Sequence, residues 1–354
     1  MPSLPPFPAL PPVPQPDPDL AARVQHRLNR KTKPQGALGA IEALALRLAL
    51  IQGHEAPRLH APQLLVCAAD HGLSRQGTSA YPREVTAQMV ANMLQGGAAV
   101  SVLARQHGLA LTVADCGVDA PPHPEATPMR VRAAGGTDDA SLVPAMTEAE
   151  AQACLARGMA WLEGRPGNAL LLGEMGIGNT ASASLLMHAL TGTPLVDCVG
   201  RGTGLDDAGL AHKRAVLARA VAANPGATAP GASPWAVAAA FGGFEILTLA
   251  GAALAAAAQR RVIVVDGFIT TAAVALAEAL CPGVRHACVA AHASAEAAHR
   301  AWLGHLGLAP LLQLDLRLGE GSGAALAWPL LPAACALLNE MASFDSAGVS
   351  ERAA

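Results

Sequence analysis

The amino-acid sequence predicts an α/β protein with a parallel sheet covered by helices on both faces. Three observations carry that prediction. Short, continuously apolar runs recur along the chain, helix-forming stretches separate most of them, and the runs end in small or acidic residues. A length of 354 residues is enough for one large domain or two moderate ones with a sizeable core. Apolar residues make up 52%, charged residues 14% and aromatics only 3%, so the core is expected to be built from Ala, Leu and Val on helices.

Along the chain, the first twenty residues hold nine prolines and read as an extended arm, unlike a signal or transit peptide. Residues 20 to 52 read as helix interrupted by "KTKPQGALG". The strand candidates are "QLLVCAADHG" (63–72), "LALTVADCGVD" (109–119), "NALLLGEMG" (168–176), "PLVDCVG" (194–200), "RRVIVVDGF" (260–268) and "HACVAAHAS" (286–294). Helices are expected in "EVTAQMVANMLQ" and "TTAAVALAEAL" between them. Residues 120 to 150 lack a clear period and read as a long connection to a helix near 147, and 223 to 234 as a glycine- and proline-rich loop. By composition, 236 to 258 could pass for a membrane span. Glu245 near its middle would cost about 2.5–3.5 kcal/mol there, and Gly242-Gly243 would loosen a helix, so the segment is read as a buried helix of a soluble protein.

A net charge of −3 without a basic run excludes a nucleic-acid polymer as partner. The seven cysteines are scattered and never form a CxxC, which favours reduced thiols and a cytosolic setting. No zinc spacing occurs among the twelve histidines. His292, His299 and His305 come closest and are read as partly exposed helix histidines.

In parallel sheets, ligands bind beyond the carboxyl ends of the strands, where this chain gathers its acids and glycines. In "LLGEMGIGNT" (171–180), Gly176 and Gly178 lead into a helix with Asn179 or Thr180 as cap, an anion site by virtue of free N–H groups. Glu174, two residues before that turn, suits a ligand that offers more than phosphate. Ribose hydroxyls, or a ribosyl cation developing at C1′, would answer its charge. The same stretch, "GIGNTA", also fits a GxGxxA dinucleotide fingerprint, with Asp197 where the ribose acid would fall. In "LRLGEGSGAALAWPLL" (316–331), Glu320 lies between glycines at a turn. Apolar surroundings would raise its pKa toward the range of a general base, a solvated loop acid being the plainer reading. Asp266 closes a third strand, ahead of Gly267 and a helix capped by Thr270 or Thr271. Asp70 and His71 are read as shaping a turn, since no nucleophile accompanies them. Arginine outnumbers lysine twenty-one to three, which marks Lys213 as a compact point charge that arginine would not replace. Tyr81, the only tyrosine, sits in "SAYP" beside a presumed strand end.

Together these segments resemble the nicotinate-nucleotide–dimethylbenzimidazole phosphoribosyltransferases. The resemblance covers roughly residues 20 to 345 and rests on "KTKPQGALGAIE", "ADHGLSRQGTSAYPREVTAQMVANMLQGGAAVSVLAR", "LGEMGIGNTASAS", "VGRGTGLDDAGLAHK", "FGGFEI", "VVDGFITTAAVA" and "LRLGEGSGAALA". Ala37 stands where the family commonly has serine, and "AHASAEAAH" (291–299) lacks the usual Pro-Gly before its last histidine. The resemblance implies a large Rossmann-like domain (61–324) and a smaller helical domain from both chain ends (20–60 with 325–350), behind the proline arm (1–19). It also implies a cytoplasmic homodimer acting on small molecules, with no cofactor, metal, nucleic acid or membrane. The implied reaction joins nicotinate mononucleotide to 5,6-dimethylbenzimidazole, giving α-ribazole 5′-phosphate and nicotinate, a step in cobalamin nucleotide-loop assembly. Glu320 falls on the family's general base. Glu174, Gly176, Gly178, Asn179, Gly202, Gly204, Lys213, Asp266 and Gly267 fall on its nucleotide-binding motifs, and Ser79, Tyr81 and Gln88 on its benzimidazole pocket. Two rival readings are a nicotinamide-dependent dehydrogenase built on "GIGNTA" and Asp197, which leaves "GEGSG" without a role, and a non-catalytic nucleotide sensor, against which an intact Glu320 argues.

Overall fold

Five of the six apolar runs form strands in the computed structural model, which describes residues 7–202, 204–296 and 298–350. They are β1 (Gln63–Ala69), β2 (Ala110–Gly117), β4 (Ala169–Met175), β5 (Val262–Val265) and β6 (Cys288–Ala290). The two-residue β3 (Thr127–Pro128), inside the connection read as irregular, adds an edge beside Ala114 and Asp115. The sixth run is not a strand. Its residues Leu195–Cys198 form one helical turn after Pro194, and Asp197 is exposed on it.

All neighbouring strands pair in parallel, in the order β3-β2-β1-β4-β5-β6. The chain builds outward from β1 through β2 to β3, returns to lay β4 beside β1, and builds outward the other way. Such a reversal opens a crevice beyond the carboxyl ends of the two central strands. Asp70 follows β1 at that point and Glu174 is the penultimate residue of β4, with Cys67 opposite Glu174 in the register.

Every residue of β1 is buried, so both faces of the sheet must be covered. Helix Phe244–Ala258 packs on β1, β2, β4 and β5, while Val85–Leu94, Ala99–His107 and Ser322–Ala327 pack near β1, β2 and β4. Small residues let this layer come close. A Cβ on Gly158 would collide with the Thr248 carbonyl, and one on Gly251 with the backbone of Leu155, so the Glu148–Leu162 and Phe244–Ala258 helices touch through their main chains. The segment 236–258 is thus buried, but as two helices, Pro234–Phe241 and Phe244–Ala258, broken at Gly242-Gly243. The break brings Gly243 against the His71 ring and buries Glu245 completely.

The chain ends pack together. Helices Pro18–Asn29 and Leu330–Glu340 both lie on Ala40–Gln52, and the Lys31–Ser343 bridge joins the segments that follow each of them. Within "KTKP", Lys33 makes a buried ion pair with Glu42 at 2.8 Å, and the Glu42 carboxylate also accepts the Leu38 amide at 3.0 Å. The first six residues of the expected arm lie outside the described residues. Its described part has no regular secondary structure and ends at Asp17, earlier than residue 19, because Asp17 caps a helix with Pro18 in its first turn. Phe7 meets Trp235 edge-on at 5.1 Å, so the arm lies on the body of the protein.

The close helix contact yields a paired expectation. Gly251→Ala is expected to destabilise the protein by about 1–3 kcal/mol through overpacking. Gly304→Ala, where a Cβ meets nothing within 4 Å, is expected to be neutral or stabilising by up to about 1 kcal/mol. Denaturant unfolding of the two variants checks both signs.

Candidate active site

Beyond the carboxyl ends of β4, β5 and β6, one cleft is lined by Glu174, Gly176, Asn179, Gly267, His292 and Glu320, among others. The chain reaches it through residues that permit unusually close backbone approach. Gly319, Glu320 and Gly321 run consecutively in the left-handed region, with φ of 81°, 65° and 85°. For a glutamate that conformation costs roughly 1–2 kcal/mol, and strain of this kind concentrates at functional sites. A Cβ on Gly173 would press on the Glu320 carbonyl, and one on Gly319 would collide with the Glu174 carboxylate. The two glutamates therefore share one cleft because glycines stand between their backbones.

Three buried carboxylates gather there. Glu174 accepts a hydrogen bond from the Asn179 side-chain amide and, at 3.4 Å, from the Glu320 backbone N–H. Burial, reinforced by the charges of Asp266 and Glu245, raises its pKa to about 8. Asp266, 1% exposed, accepts the amides of Ala324 at 2.8 Å and Gly321 at 3.2 Å. Burial raises it to about 7 against the opposing pull of those amides. Glu320 is 5% exposed, and no hydrogen bond among the described residues engages its carboxylate. Burial alone lifts it to about 7, as its apolar surroundings predict.

Beside Glu174 the site also holds a helix start and a buried lysine, with the acid Glu296 near that lysine. Helix Asn179–Thr191 begins at the cleft with its cap at left-handed Gly178 (φ 98°), not at Asn179 or Thr180 as expected. Asn179 is occupied with Glu174, and Thr180 accepts the Lys213 ammonium at 2.9 Å. Lys213 is wholly buried, also donates to the Gly200 carbonyl at 3.2 Å, and falls to a pKa of about 8 through burial, with Glu296 opposing. Gly202, at φ 56°, comes close to both Thr180 and Lys213. The Asn179 and Ala181 amides already donate to the Gly176 and Gly178 carbonyls, but the dipole of a helix start beside a desolvated ammonium still favours an anion such as phosphate. Gly204 does not line the cleft, and a Cβ there would meet open space.

Other expected residues lie further out. Ser79, Tyr81 and Gln88 are not among the residues lining this cleft; Tyr81 is 52% exposed, and Gln88 is exposed on helix Val85–Leu94. Thr86, on the same helix, connects that region to the cleft by accepting the Ile177 amide at 3.1 Å and donating to Asp70 at 2.8 Å. Asp70 also accepts the Asp119 amide at 2.8 Å, the turn-shaping role expected of it. The histidine expectation needs correcting. His305 is exposed on a helix, but His299 and His292 are buried, and His292 lies outside any helix. The helix that follows His292 begins only at His299, whose ring is enclosed between the Thr271 hydroxyl and the Ser294 amide. Thr270 does not cap its helix from the first position; Gly267 is the cap, and the Thr270 hydroxyl reaches back to its amide at 3.0 Å.

Sequence reasoning gave Glu245 and His292 no part in the site. Glu245 lies beneath the "GIGN" turn, 2.6 Å from His71 Nε2, with its second oxygen unpartnered among the described residues. Its signal was the acid inside "FGGFEI", a motif that carries the family resemblance but was given no site residue. As a whole, the cleft can hold an anion beside the helix start while its acids stabilise positive charge and accept a proton. The dinucleotide reading loses its ribose acid, since Asp197 is exposed on a helical turn, not at a strand end. Among the described residues, no group of three or more His, Cys, Asp or Glu is placed to hold a metal ion.

A family model described as phosphoribosyltransferase matches residues 13–349. The nicotinate-nucleotide–dimethylbenzimidazole phosphoribosyltransferase of Variovorax paradoxus is 59% identical over 335 residues, 94% of each chain. That of Cupriavidus necator is 54% identical over 347 residues, covering 97% of this chain and 98% of the relative. The crystal structure of the protein of that name from Thermus thermophilus superposes with a TM-score of 0.87 at 44% identity, covering 95% of this chain and 100% of the other.

Burial also makes stability pH-dependent, with a definite sign. Glu174 holds its proton more tightly folded than unfolded, so that contribution is complete below about pH 4.5 and is lost as pH rises through about 8. Glu174→Gln removes the cost of the ion. The melting temperature of the variant, relative to the unaltered protein, is expected to rise between pH 5 and pH 8.5 in ligand-free thermal unfolding; a constant or falling difference contradicts this.

Proposed function

The chain belongs to the nicotinate-nucleotide–dimethylbenzimidazole phosphoribosyltransferase family, and from that premise we propose that it transfers phosphoribosyl from nicotinate mononucleotide to 5,6-dimethylbenzimidazole. The products are α-ribazole 5′-phosphate and nicotinate, in the assembly of the cobalamin lower ligand. One observation carries this reading: Glu320 and Glu174 line the same cleft as the "GIGN" turn.

In this reading the phosphate lies toward the turn at Gly176, Gly178 and Asn179, with Lys213 and Gly202 completing the anionic side, while Gly204, outside the cleft, has no part in it. Ribose faces Glu174, with Asp266 and Gly267 below it. The flat base enters from the side of Ser79, Tyr81 and Gln88, whose loop and helix border the cleft through Thr86 and Ile177. Nicotinate departs from a positively charged pyridinium nitrogen, so no acid is needed to release it. As the bond to C1′ loosens, positive charge moves onto the ribose. The pyridinium and then the ribosyl cation favour the ionised form of Glu174, and a fixed carboxylate that gains interaction as charge develops lowers the barrier.

The incoming benzimidazole would become cationic on attack unless its second nitrogen gives up a proton. Glu320 takes it. A base with a pKa near neutrality combines a sizeable ionised fraction with real proton affinity, which is what a general base at pH 7 requires. Attack opposite the departing ring turns a β-nucleotide into an α-product. We take the protein to work as a cytoplasmic homodimer; its seven free cysteines accord with a reducing compartment. Residues 20–60 with 325–350 are taken as one helical unit beside the catalytic body.

Glu320→Gln is expected to leave affinity for nicotinate mononucleotide nearly unchanged and to cut nicotinate release by about 10²–10⁴-fold, the scale of general-base catalysis. Equal turnover in both proteins removes Glu320 as the base.

A further inference from the structure

Asp266 falls on a motif that the family resemblance assigns to nucleotide binding, but its hydrogen bonds point elsewhere. Its Oδ1 accepts the Ala324 amide at 2.8 Å and its Oδ2 the Gly321 amide at 3.2 Å. Those amides flank the start of helix Ser322–Ala327, whose own cap residue, Gly321, has no side chain to serve the first turn. Asp266 therefore performs from β5 the service that a capping side chain performs locally. It satisfies two N–H groups of the segment that begins directly after Glu320. With both oxygens committed to backbone and the residue 1% exposed, little of it faces a ligand.

The surroundings tighten the same joint. His292 Nδ1 lies 4.0 Å from Asp266 Oδ1, buried and without a hydrogen-bond partner among the described residues. A Cβ on Gly323 would collide with the His292 ring and lie 2.9 Å from Asp266 Oδ1. The loop is thus held between β5 and the segment after β6, with the Asp266 carboxylate and the His292 ring seated closely on the Gly323 main chain. Glu320, in the left-handed region between two left-handed glycines, needs such external fixing to hold one orientation.

We propose that Asp266 is a positioning residue for Glu320: it fixes the loop carrying the general base by accepting the Gly321 and Ala324 amides, and it does not bind the nucleotide. The proposal rests on the reading of Glu320 as the base. Nothing is transferred to or from Asp266 in the reaction.

A double-mutant cycle on the full-length enzyme tests this, reading nicotinate release and, separately, nicotinate mononucleotide affinity by calorimetry. In Asp266→Asn one of the two amides faces an N–H₂ group instead of an oxygen. Turnover is expected to fall about 10–100-fold while nucleotide affinity changes less than about threefold, and in the Glu320→Gln background the same change is expected to lower the residual rate by less than about threefold. A nucleotide affinity weakened tenfold or more, or a loss of the same size in both backgrounds, overturns the positioning role. Full turnover in Glu320→Gln alone sinks the base assignment and this role together; a slow Glu320→Gln with multiplicative losses sinks only this role. Should Asp266→Asn not fold, Gly323→Ala disturbs the same joint from the other side, and its effect must likewise vanish when Glu320 is glutamine.

Discussion

Burial of carboxylates without matching cations is the constraint on which this site depends. Glu174, Asp266 and Glu320 are each at least nine-tenths buried, and for all three desolvation is the largest influence on the pKa. Isolated charges in such surroundings are costly, and proteins usually neutralise them with a cation or a proton. The buried ammonium of Lys213 is bonded to Thr180 and Gly200 and to none of the three acids. The acids are therefore prepared for positive charge that arrives from outside. A pyridinium nucleotide, a ribosyl cation and a benzimidazole shedding its proton each supply it in turn.

The fold makes that arrangement possible by two means. The reversal of strand order between β1 and β4 leaves a crevice at their carboxyl ends, so acids placed there face open space instead of another layer. Glycines then remove the side chains that would hold the walls apart. Gly173 and Gly319 let the Glu320 loop lie against β4 and Glu174, Gly176 lets the "GIGN" turn lie against the end of β1, and Gly323 lets the helix that follows the Glu320 loop lie against His292 and Asp266. A methyl group at Gly173 or Gly176 would press on backbone, and one at Gly319 or Gly323 on the Glu174 carboxylate or the His292 ring, at the point where the chemistry is proposed.

Much of this was legible in the sequence. Continuous apolar runs ending in acids and glycines located β1, β2, β4, β5 and β6, because a strand buried on both faces has no reason to alternate. The 194–200 run misled because a few apolar residues after a proline serve a largely exposed helical turn as well as a strand. β3 left no trace, being only two residues long on an edge. At the site, the neighbouring "GEMGIGN" and "GEGSG" motifs announced Glu174 and Glu320, but no spacing brings residues 146 positions apart into one cleft. The hydrogen bonds of Asp266 were hidden for the same reason: they join β5 to a helix far along the chain. His292 and His299 were misread as partly exposed because a local pattern does not show how deeply the segment after β6 is enclosed.

The placement of Glu320 as the proton acceptor meets its most direct test in the pH dependence of kcat/KM for dimethylbenzimidazole, measured at fixed saturating nucleotide. In the unaltered enzyme the rate is expected to fall below a pKa near 7 as Glu320 becomes protonated, and in Glu320→Gln that acidic limb is expected to disappear. An acidic limb of the same position and depth in the variant would contradict it.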